Sequence, residues 1–238
     1  MNLNHWHKTV LTDDSLELFS RNLGTLEPGE QRQLGKATVT VIGCGGLGSM
    51  IIEELLRLGV GRLLLCDPDR FEPSNCNRQL YATRHTLGHP KAEVASRRAR
   101  EVHGFTDAIP VVAAFQEAEE ALFSATDVVV DCLDNGPARR ELSLLCHVKK
   151  IPLVHGAVER WYGQIGVQMP GSTMVADLYR YSTQTPETRA PSVVSCTVGV
   201  IASLQALETC KLILDHHSPL QDSWMSVDLR SLSFDLIG

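Results

Sequence analysis

A run of glycines between two hydrophobic segments has the composition of a ligand-binding turn. Residues 43–48 read Gly-Cys-Gly-Gly-Leu-Gly and lie between the β-branched stretch TVTVI and a stretch with apolar residues at helical spacing. A glycine turn between a strand and a helix exposes backbone N–H groups at the helix N-terminus, where they bind phosphate oxygens. The candidate phosphate-binding residues are therefore Gly43, Gly45, Gly46 and Gly48.

An acidic residue follows the glycines at the spacing typical of a ribose-binding carboxylate. Asp67 ends the next predicted strand, RLLLCD, about twenty residues further on, where a carboxylate can bind ribose hydroxyls. Glycines and acid together predict a nucleotide site, and by themselves they fit a nicotinamide-dependent dehydrogenase. A tight turn whose glycines serve packing alone is the structural alternative.

Cations and amides after this strand favour a different nucleotide chemistry. Asn75, Arg78 and Gln79 lie in the stretch SNCNRQ, and Lys91 follows Pro90. Hydride transfer does not need cations beside the phosphates, whereas phosphate cleavage needs them on the charge that builds on the leaving pyrophosphate. An arginine can bind two phosphate oxygens at once, and a lysine supplies a mobile point charge. Taken singly, such residues are usually solvated surface charges.

Asp134 follows the buried run VVVDC, at the edge of the predicted sheet where doubly wound folds bind ligands. Magnesium prefers one or two carboxylates together with phosphate oxygens. Asp134 is therefore a candidate magnesium ligand. The alternative is that it caps the helix predicted to start near Pro137.

The order of the predicted elements indicates the fold class. Strands alternate with helices up to Gly156, which predicts an α/β, Rossmann-like, doubly wound and mostly parallel sheet behind N-terminal helices. After Gly156 the pattern changes, and antiparallel C-terminal strands are expected. The segments are helical residues 12–37, strand 38–42, helix 49–61, strand 62–67, helix 89–103, exposed or edge strand 106–115, strand 126–132, helix 137–148, strand 151–158, hairpin strands 161–181, polar loop 182–192, helix 197–214 and a hairpin or pair of strands over 224–237.

Composition narrows the possible partners. The 238 residues carry a formal charge of −6, so no basic footprint indicates nucleic acid. The N-terminus lacks a secretory pattern and no apolar run is expected to reach the roughly 18 residues of a membrane helix, which predicts a cytoplasmic protein without a membrane role. Seven scattered cysteines without a Cys-x-x-Cys pair argue against a disulfide framework and a zinc ribbon.

Five motifs together resemble one family. GCGGLG, DPDRFEPSNCNRQL, GHPKAE, DCLDN and GVIASLQALETCKLI are similar to segments of the ThiF/MoeB/HesA adenylyltransferases, relatives of the ubiquitin-activating enzymes, over about Leu16 to Leu214. The resemblance implies an enzyme that uses ATP and Mg²⁺ to adenylate the C-terminal Gly-Gly carboxylate of a ubiquitin-fold sulfur-carrier protein, for thiamin, molybdopterin or related sulfur transfer. It also implies a single domain over 1–238, with a helical segment (1–37), a nucleotide-binding half (38–156) and a carrier-binding and dimerisation half (157–238).

The resemblance assigns roles to the candidate residues. Asp67 would hold the ribose and Asp134 the magnesium. The triphosphate would contact Asn75, Arg78 and Lys91, with Asp69 nearby and Gln79 on the same wall. The stretch Ser-Arg-Asn at 20–22 is similar to the family's N-terminal arginine motif, so Arg21 would reach the γ-phosphate in a neighbouring subunit, which implies a homodimer with two composite sites.

The sequence departs from the family pattern at its cysteines. Many members hold a structural zinc with two Cys-x-x-Cys pairs, which this sequence lacks, so zinc is expected to be absent. Cys196 lies near the position where some relatives have a cysteine that accepts the acyl group or sulfur. Its alternative is a buried cysteine at a helix start, and Cys76 is a weaker candidate. His89 and His155 are expected to be structural.

Three alternative functions stay open at this point. The same fold dehydrates threonylcarbamoyladenosine in tRNA in some relatives, although the acidic charge balance counts against such a substrate. A nicotinamide-dependent oxidoreductase would leave Arg78, Lys91 and Asp134 without a role. A non-catalytic module could bind a carrier protein without activating it.

The polar segment 182–192 generates a prediction of its own. Its Pro and Thr content predicts disorder until the carrier protein binds, because few apolar residues are available to offset the entropy of ordering. Limited proteolysis of the free protein should cut there first, and the carrier should protect it. Resistance of this segment in the free protein would contradict the prediction.

Overall fold

The computed structural model describes residues 13–181 and 192–237, and one sheet runs through them. The strands are β1 (Thr38–Ile42), β2 (Arg62–Cys66), β3 (Asp107–Val111), β4 (Val128–Asp131), β5 (Leu153–Glu159), β6 (Tyr162–Gln168), β7 (Ser223–Asp228) and β8 (Ser233–Ile237). The helices are α1 (Asp13–Leu18), α2 (Pro28–Leu34), α3 (Gly46–Leu58), α4 (Lys91–Val102), α5 (Glu119–Phe123), α6 (Gly136–Lys149), α7 (Met174–Leu178) and α8 (Ser195–Ile213).

The strand order is β3-β2-β1-β4-β5-β6-β7-β8. The pairs from β3 through β5 are parallel, and those from β5 through β8 are antiparallel. This confirms the predicted mostly parallel sheet with antiparallel C-terminal strands. It also confirms β3 as an edge strand, as expected from its exposed residues.

The chain reverses its winding direction at β1, and this creates a crevice. From β1 the chain moves outward through β2 and β3, and it then returns to add β4 on the other side of β1. Ile42 pairs with Cys66 of β2 and with Asp131 of β4, so the carboxyl ends of three strands lie level. Ligands of open α/β sheets bind where the strand order reverses in this way.

Alternating residues of the central strands bury their side chains in two cores. Val39 and Val41 face the core formed with α3, α4 and α8. Ile42 faces the second core, which contains Leu122 of α5 and Leu142 of α6. Because helices cover both faces, β1, β2 and β4 are fully buried, which explains their mostly apolar sequences.

The 19-residue helix α8 corrects one prediction. Among the described residues, it is the one helix long and apolar enough to span a membrane by length and composition, so the expectation that no apolar run reaches that length was wrong. Several of its apolar side chains, including Val198, Ile201 and Ala202, are buried in the core beside α3, whereas Leu207 is exposed. The Gln205 amide donates from this helix to the carbonyl of Asp131 at 2.8 Å. Burial in the core accounts for its composition.

The expected hairpin over residues 161–181 was wrong in its second half. Only β6 forms there, paired with β5, and the helix α7 follows Gly171, whose φ is 91°. Side chains from elsewhere in the fold accept hydrogen bonds from the first turn of α7: Gln168 Oε1 from the Val175 amide at 3.1 Å, and Ser143 Oγ from the Ala176 amide at 2.9 Å. Tertiary contacts therefore decide this short helix. Of the predicted loop 182–192, residues 182–191 lie outside the described ranges.

Two glycines of the turn between β1 and α3, Gly43 and Gly48, leave no space for a side chain. Gly43 has φ 97°, and a Cβ there would lie 2.6 Å from the Cys132 carbonyl oxygen. A Cβ on Gly48 would lie 1.9 Å from the Gly43 carbonyl oxygen. At Gly46 the nearest atom to a Cβ would be Cγ1 of Val198, at an ordinary 3.4 Å.

Two alanine substitutions in this turn should therefore differ. Gly48→Ala should lower the free energy of unfolding by about 2 kcal/mol or more, because the backbone must move to relieve the overlap. Gly46→Ala should change it little, because the added methyl fits and alanine favours the helix. Denaturant unfolding measures both variants against the unsubstituted protein. Equal free energies for the two would contradict the turn geometry.

Candidate nucleotide-binding site

Asp67 connects the end of β2 to the glycine turn. Its Oδ2 accepts a hydrogen bond from the Cys44 amide at 2.7 Å, and its Oδ1 accepts one from the Asp69 amide at 2.8 Å. Burial raises the pKa of the Asp67 carboxyl, while Lys91 and these two amides oppose the rise. The carboxylate thus braces the turn and keeps unused lone pairs on both oxygens.

Lys91 lies on the same side of the crevice, at the start of α4. Its Nζ is 2.9 Å from Asp69 Oδ2, and its amide donates to the Asp69 carbonyl at 2.9 Å. The Lys91 side chain is 9% exposed, whereas that of Asp69 is 65% exposed. The buried Lys91 side chain therefore ends in an ammonium group that contacts an exposed carboxylate. A chain of contacts runs from the glycine turn through Asp67 and Asp69 to Lys91.

The segment after β2 supplies the amides and the arginine predicted from the sequence. Asn75 is buried, and its Oδ1 accepts from the Glu72 amide at 3.0 Å. The half-buried Arg78 donates from Nη1 to the Ser74 carbonyl at 2.9 Å. Arg78 also approaches the glycine turn, because its Cγ would lie 3.9 Å from a Cβ on Gly46.

Gln79 is the least satisfied polar side chain of this segment. It is 7% exposed, and within the described ranges its Oε1 has no hydrogen-bond partner. Its amide lies against the glycine turn, with Nε2 3.4 Å from the place of a Cβ on Gly45. A buried polar atom without a partner costs free energy. Rotating the amide by half a turn presents N–H groups at the same place, so this position suits a ligand rich in oxygen atoms.

Asp134 lies in the loop between β4 and α6, and its carboxylate is exposed. Its Oδ1 accepts only a long hydrogen bond of 3.4 Å from the Asn135 side chain, among the described residues. Asn135 is the residue that caps α6, since its side chain accepts from the Ala138 amide at 2.9 Å. The alternative role of Asp134 as the helix cap was therefore wrong.

Arg21 lies away from this crevice. Its neighbour Asn22 donates from Nδ2 to the carbonyl of Arg57, near the C-terminal end of α3, at 3.4 Å. Because α3 rises about 1.5 Å per residue, the eleven residues from Gly46 to Arg57 place this contact roughly 16 Å from the glycine turn. The exposed Arg21 side chain therefore does not join the other candidates within one chain.

The cysteine and histidine candidates are distributed around the crevice. Cys196 is exposed in the first turn of α8, so its interpretation as a buried cysteine was wrong. Val198 lies two residues further, and its Cγ1 would be 3.4 Å from a Cβ on Gly46, so this helix start lies beside the glycine turn. Cys76 is also exposed, and so is His89. Across the described ranges, no group of three or more His, Cys, Asp or Glu residues could hold a metal, and the expected absence of zinc stays a prediction.

A buried polar cluster behind the Asp134 loop was only partly foreseen. His155 is fully buried on β5, and its Nδ1 is 2.7 Å from Asp131 Oδ2. Burial lowers the pKa of His155, although Asp131 opposes this. Sequence reasoning missed its companions Arg139 and Tyr179, which belong to no motif. The one available signal was a pattern of polar residues in segments otherwise expected to be buried.

Comparison with known proteins finds relatives over most of the chain. Residues 19–237 match the ThiF family. The SAMP-activating enzyme E1 of Haloferax volcanii is 32% identical over 228 residues, covering 93% of this chain and 84% of that protein. The molybdopterin-synthase adenylyltransferase of Escherichia coli K12 is 34% identical over 208 residues, covering 86% of this chain and 84% of that protein.

A relative from Thermus thermophilus and a solved structure extend the comparison. The sulfur carrier protein adenylyltransferase of T. thermophilus is 32% identical over 237 residues, covering 94% of this chain and 87% of that protein. The crystal structure of E. coli MccB with ATP superposes with a TM-score of 0.78 at 18% identity, covering 97% of this chain and 72% of that one, which shows a shared fold. The chain therefore belongs to the ThiF family.

Proposed function

We propose that this protein uses ATP to adenylate the C-terminal carboxylate of a ubiquitin-like sulfur-carrier protein, with release of pyrophosphate. The observation that carries this proposal is the chain of contacts from the glycine turn through Asp67 and Asp69 to Lys91, on the edge where the strand order reverses. The names of the relatives, which are adenylyltransferases and an activating enzyme, support the reaction class.

The residues around the turn fit ATP. The turn formed by Gly43, Gly45, Gly46 and Gly48 offers backbone N–H groups without interfering side chains, and the unpartnered Gln79 amide lies against it. In the proposed complex Asp67 holds the ribose. Asn75, Arg78, Gln79 and Lys91 bind the phosphates, with Asp69 as the neighbouring carboxylate of Lys91.

Asp134 fits a magnesium ligand. Its carboxylate is exposed, and the Asn135 side-chain amide donates only a long hydrogen bond to it. Hard cations prefer such oxygen ligands together with phosphate oxygens. A bound Mg²⁺ neutralises part of the phosphate charge.

The reaction requires the protein to position the two reactants and to stabilise the charge on the leaving pyrophosphate. One oxygen of the carrier carboxylate attacks the α-phosphorus of ATP, the bond from that phosphorus to the bridging oxygen breaks, and pyrophosphate leaves with the electron pair. The product is a mixed anhydride that a later nucleophile can open. The attacking carboxylate is already ionised, so the step needs no general base, and Arg78 and Lys91 stabilise the leaving group.

The proposal also covers the homodimer, the division of the chain, the carrier protein and the cellular location. Arg21 of the partner subunit reaches the γ-phosphate in a homodimer with two composite sites, and its distance from its own crevice supports this arrangement. The single domain consists of a helical segment (1–37), a nucleotide-binding half (38–156), and a half for carrier binding and dimerisation (157–238). The carrier ends in Gly-Gly, and the protein acts in the cytoplasm without a membrane or nucleic-acid partner.

Cys196 is the proposed acceptor of the activated acyl group or of sulfur. It is exposed in the first turn of α8, and Val198 of the same helix start would lie 3.4 Å from a Cβ on Gly46 of the glycine turn. An acceptor at this position lies next to the phosphate-binding backbone. Cys76 is the weaker candidate for the same role.

ATP–pyrophosphate exchange with MgATP and carrier proteins that end in Gly-Gly tests the adenylation step. Exchange should require a carrier and should fall on the order of a hundredfold or more in Arg78→Ala and in Asp134→Ala, because each removes charge stabilisation from the transition state. Lys149→Ala serves as the control, because its exposed side chain lies at the C-terminal end of α6, about 20 Å along the helix from the loop that carries Asp134. Exchange should be unchanged in that variant.

Two results would contradict the proposal. The first is wild-type ATP binding without exchange for any carrier, which would favour a tRNA-directed or non-catalytic role. The second is equal exchange in all three variants and the wild type, which would place the reaction elsewhere.

A further inference from the structure

Five residues behind the loop after β4 form a closed ring of hydrogen bonds, which we call the Leu133 ring. Arg139 Nη1 donates to the Tyr179 hydroxyl at 3.0 Å, and that hydroxyl is 3.2 Å from His155 Nε2. His155 Nδ1 is 2.7 Å from Asp131 Oδ2. Asp131 Oδ1 accepts from the Leu133 amide at 2.9 Å, and Arg139 Nη2 closes the ring by donating to the Leu133 carbonyl at 2.7 Å.

The donors and acceptors of the ring are mutually consistent. The Asp131 carboxylate accepts from Nδ1 of His155, so Nε2 of a neutral imidazole is left to accept the Tyr179 proton. The Tyr179 oxygen in turn accepts from Arg139. The Gln164 amide also contacts the Tyr179 hydroxyl and lies 3.2 Å from His155 Nε2. A buried polar network in which each member is satisfied rigidifies the backbone that it holds.

The ring acts on one backbone segment. It binds both the N–H and the C=O of Leu133, which fixes the peptide groups on either side of that residue. On the far side of Asp134, the Asn135 side chain caps α6. Asp134 is thus an exposed residue with an anchored backbone both before and after it.

The Tyr179 hydroxyl is not needed to hold its own helix. The first-turn amides of Val175 and Ala176 in α7 are bound by Gln168 and Ser143, which are separate from the ring. The Arg139 guanidinium is already anchored through two contacts with the Leu133 carbonyl and lies 5.2 Å from the centre of the Tyr179 ring. The hydroxyl instead links Arg139, which holds the Leu133 carbonyl, to His155, which contacts the carboxylate that holds the Leu133 amide.

We propose that the Leu133 ring positions Asp134 for the magnesium ion of MgATP, with His155 and Tyr179 as positioning residues. This inference rests on the proposed function, in which Asp134 is the magnesium ligand. An exposed carboxylate on an unrestrained loop loses rotational and backbone entropy when it binds an ion. A carboxylate on an anchored loop has already lost the backbone part, so the ring raises affinity for MgATP and leaves affinity for metal-free ATP unchanged.

The test compares Tyr179→Phe with Ser143→Ala. Tyr179→Phe removes the hydroxyl and keeps the aromatic ring, so it opens the Leu133 ring with little change in packing. Ser143→Ala loosens the same helix α7 without touching the Leu133 ring. His155→Asn is a second ring variant, in which the asparagine amide can replace Nδ1 toward Asp131 but cannot reach Tyr179.

Two readouts apply to each variant. Hydrogen exchange measures protection of the Leu133 amide, which should fall in the two ring variants and stay unchanged in Ser143→Ala. Calorimetry measures ATP binding with Mg²⁺ and with EDTA. MgATP should bind roughly three- to tenfold more weakly to the ring variants, as expected for one lost hydrogen bond, while ATP in EDTA binds equally.

A double variant makes the test specific. In an Asp134→Asn background, Tyr179→Phe should have no further effect on MgATP binding, because the group it positions is gone. Additive effects would overturn the inference, and so would an equal loss of ATP binding in EDTA or unchanged protection of Leu133. If the wild type binds MgATP and Tyr179→Phe binds it equally well, this inference is overturned and the proposed function is not. Absence of any ATP binding by the wild type would overturn the proposed function and this inference with it.

Discussion

The close approach of the glycine turn to the end of β4 is the constraint on which the candidate site depends. A Cβ on Gly43 would lie 2.6 Å from the Cys132 carbonyl oxygen, so a side chain there would push the two strand ends apart. Because β1 pairs in register with both β2 and β4, the turn, Asp67 and the loop before Asp134 emerge at one level. The N-terminus of α3, two carboxylates and the cations of the next segment therefore surround one crevice.

Buried polar groups fix the details of this crevice. A buried polar group is costly unless it is hydrogen-bonded, so each such group at the strand ends restricts the backbone around it. Asp67 binds the amides of Cys44 and Asp69, and Asp131 binds Leu133 and His155. The sheet provides the scaffold, and these carboxylates determine where each loop leaves it. Gln79 is the exception, since its Oε1 has no partner among the described residues and would lie 3.7 Å from a Cβ on Gly45 of the glycine turn.

Local sequence was sufficient for elements with long, regular patterns. The β-branched run of β1, the helical spacing of α3 and the exposed or edge position of β3 were all predicted, because each is visible in the residue types of one short segment. The helix α7 was missed because five residues carry too little periodicity, and side chains from β6 and α6 bind its first amides. The exposure of Cys196 was likewise undetermined, since either face of a helix start can carry a cysteine.

The sequence by itself determined the fold class, the glycine turn, the family resemblance and the residue types of the candidate site, because these depend on short-range pattern and spacing. Only the tertiary structure decided that Asn135 rather than Asp134 caps α6, that Arg21 lies far from its own crevice, and that Arg139 and Tyr179 meet His155 behind the Asp134 loop. These contacts join residues from separate segments of the chain. Their geometry depends on strand register and helix packing, which no local pattern encodes.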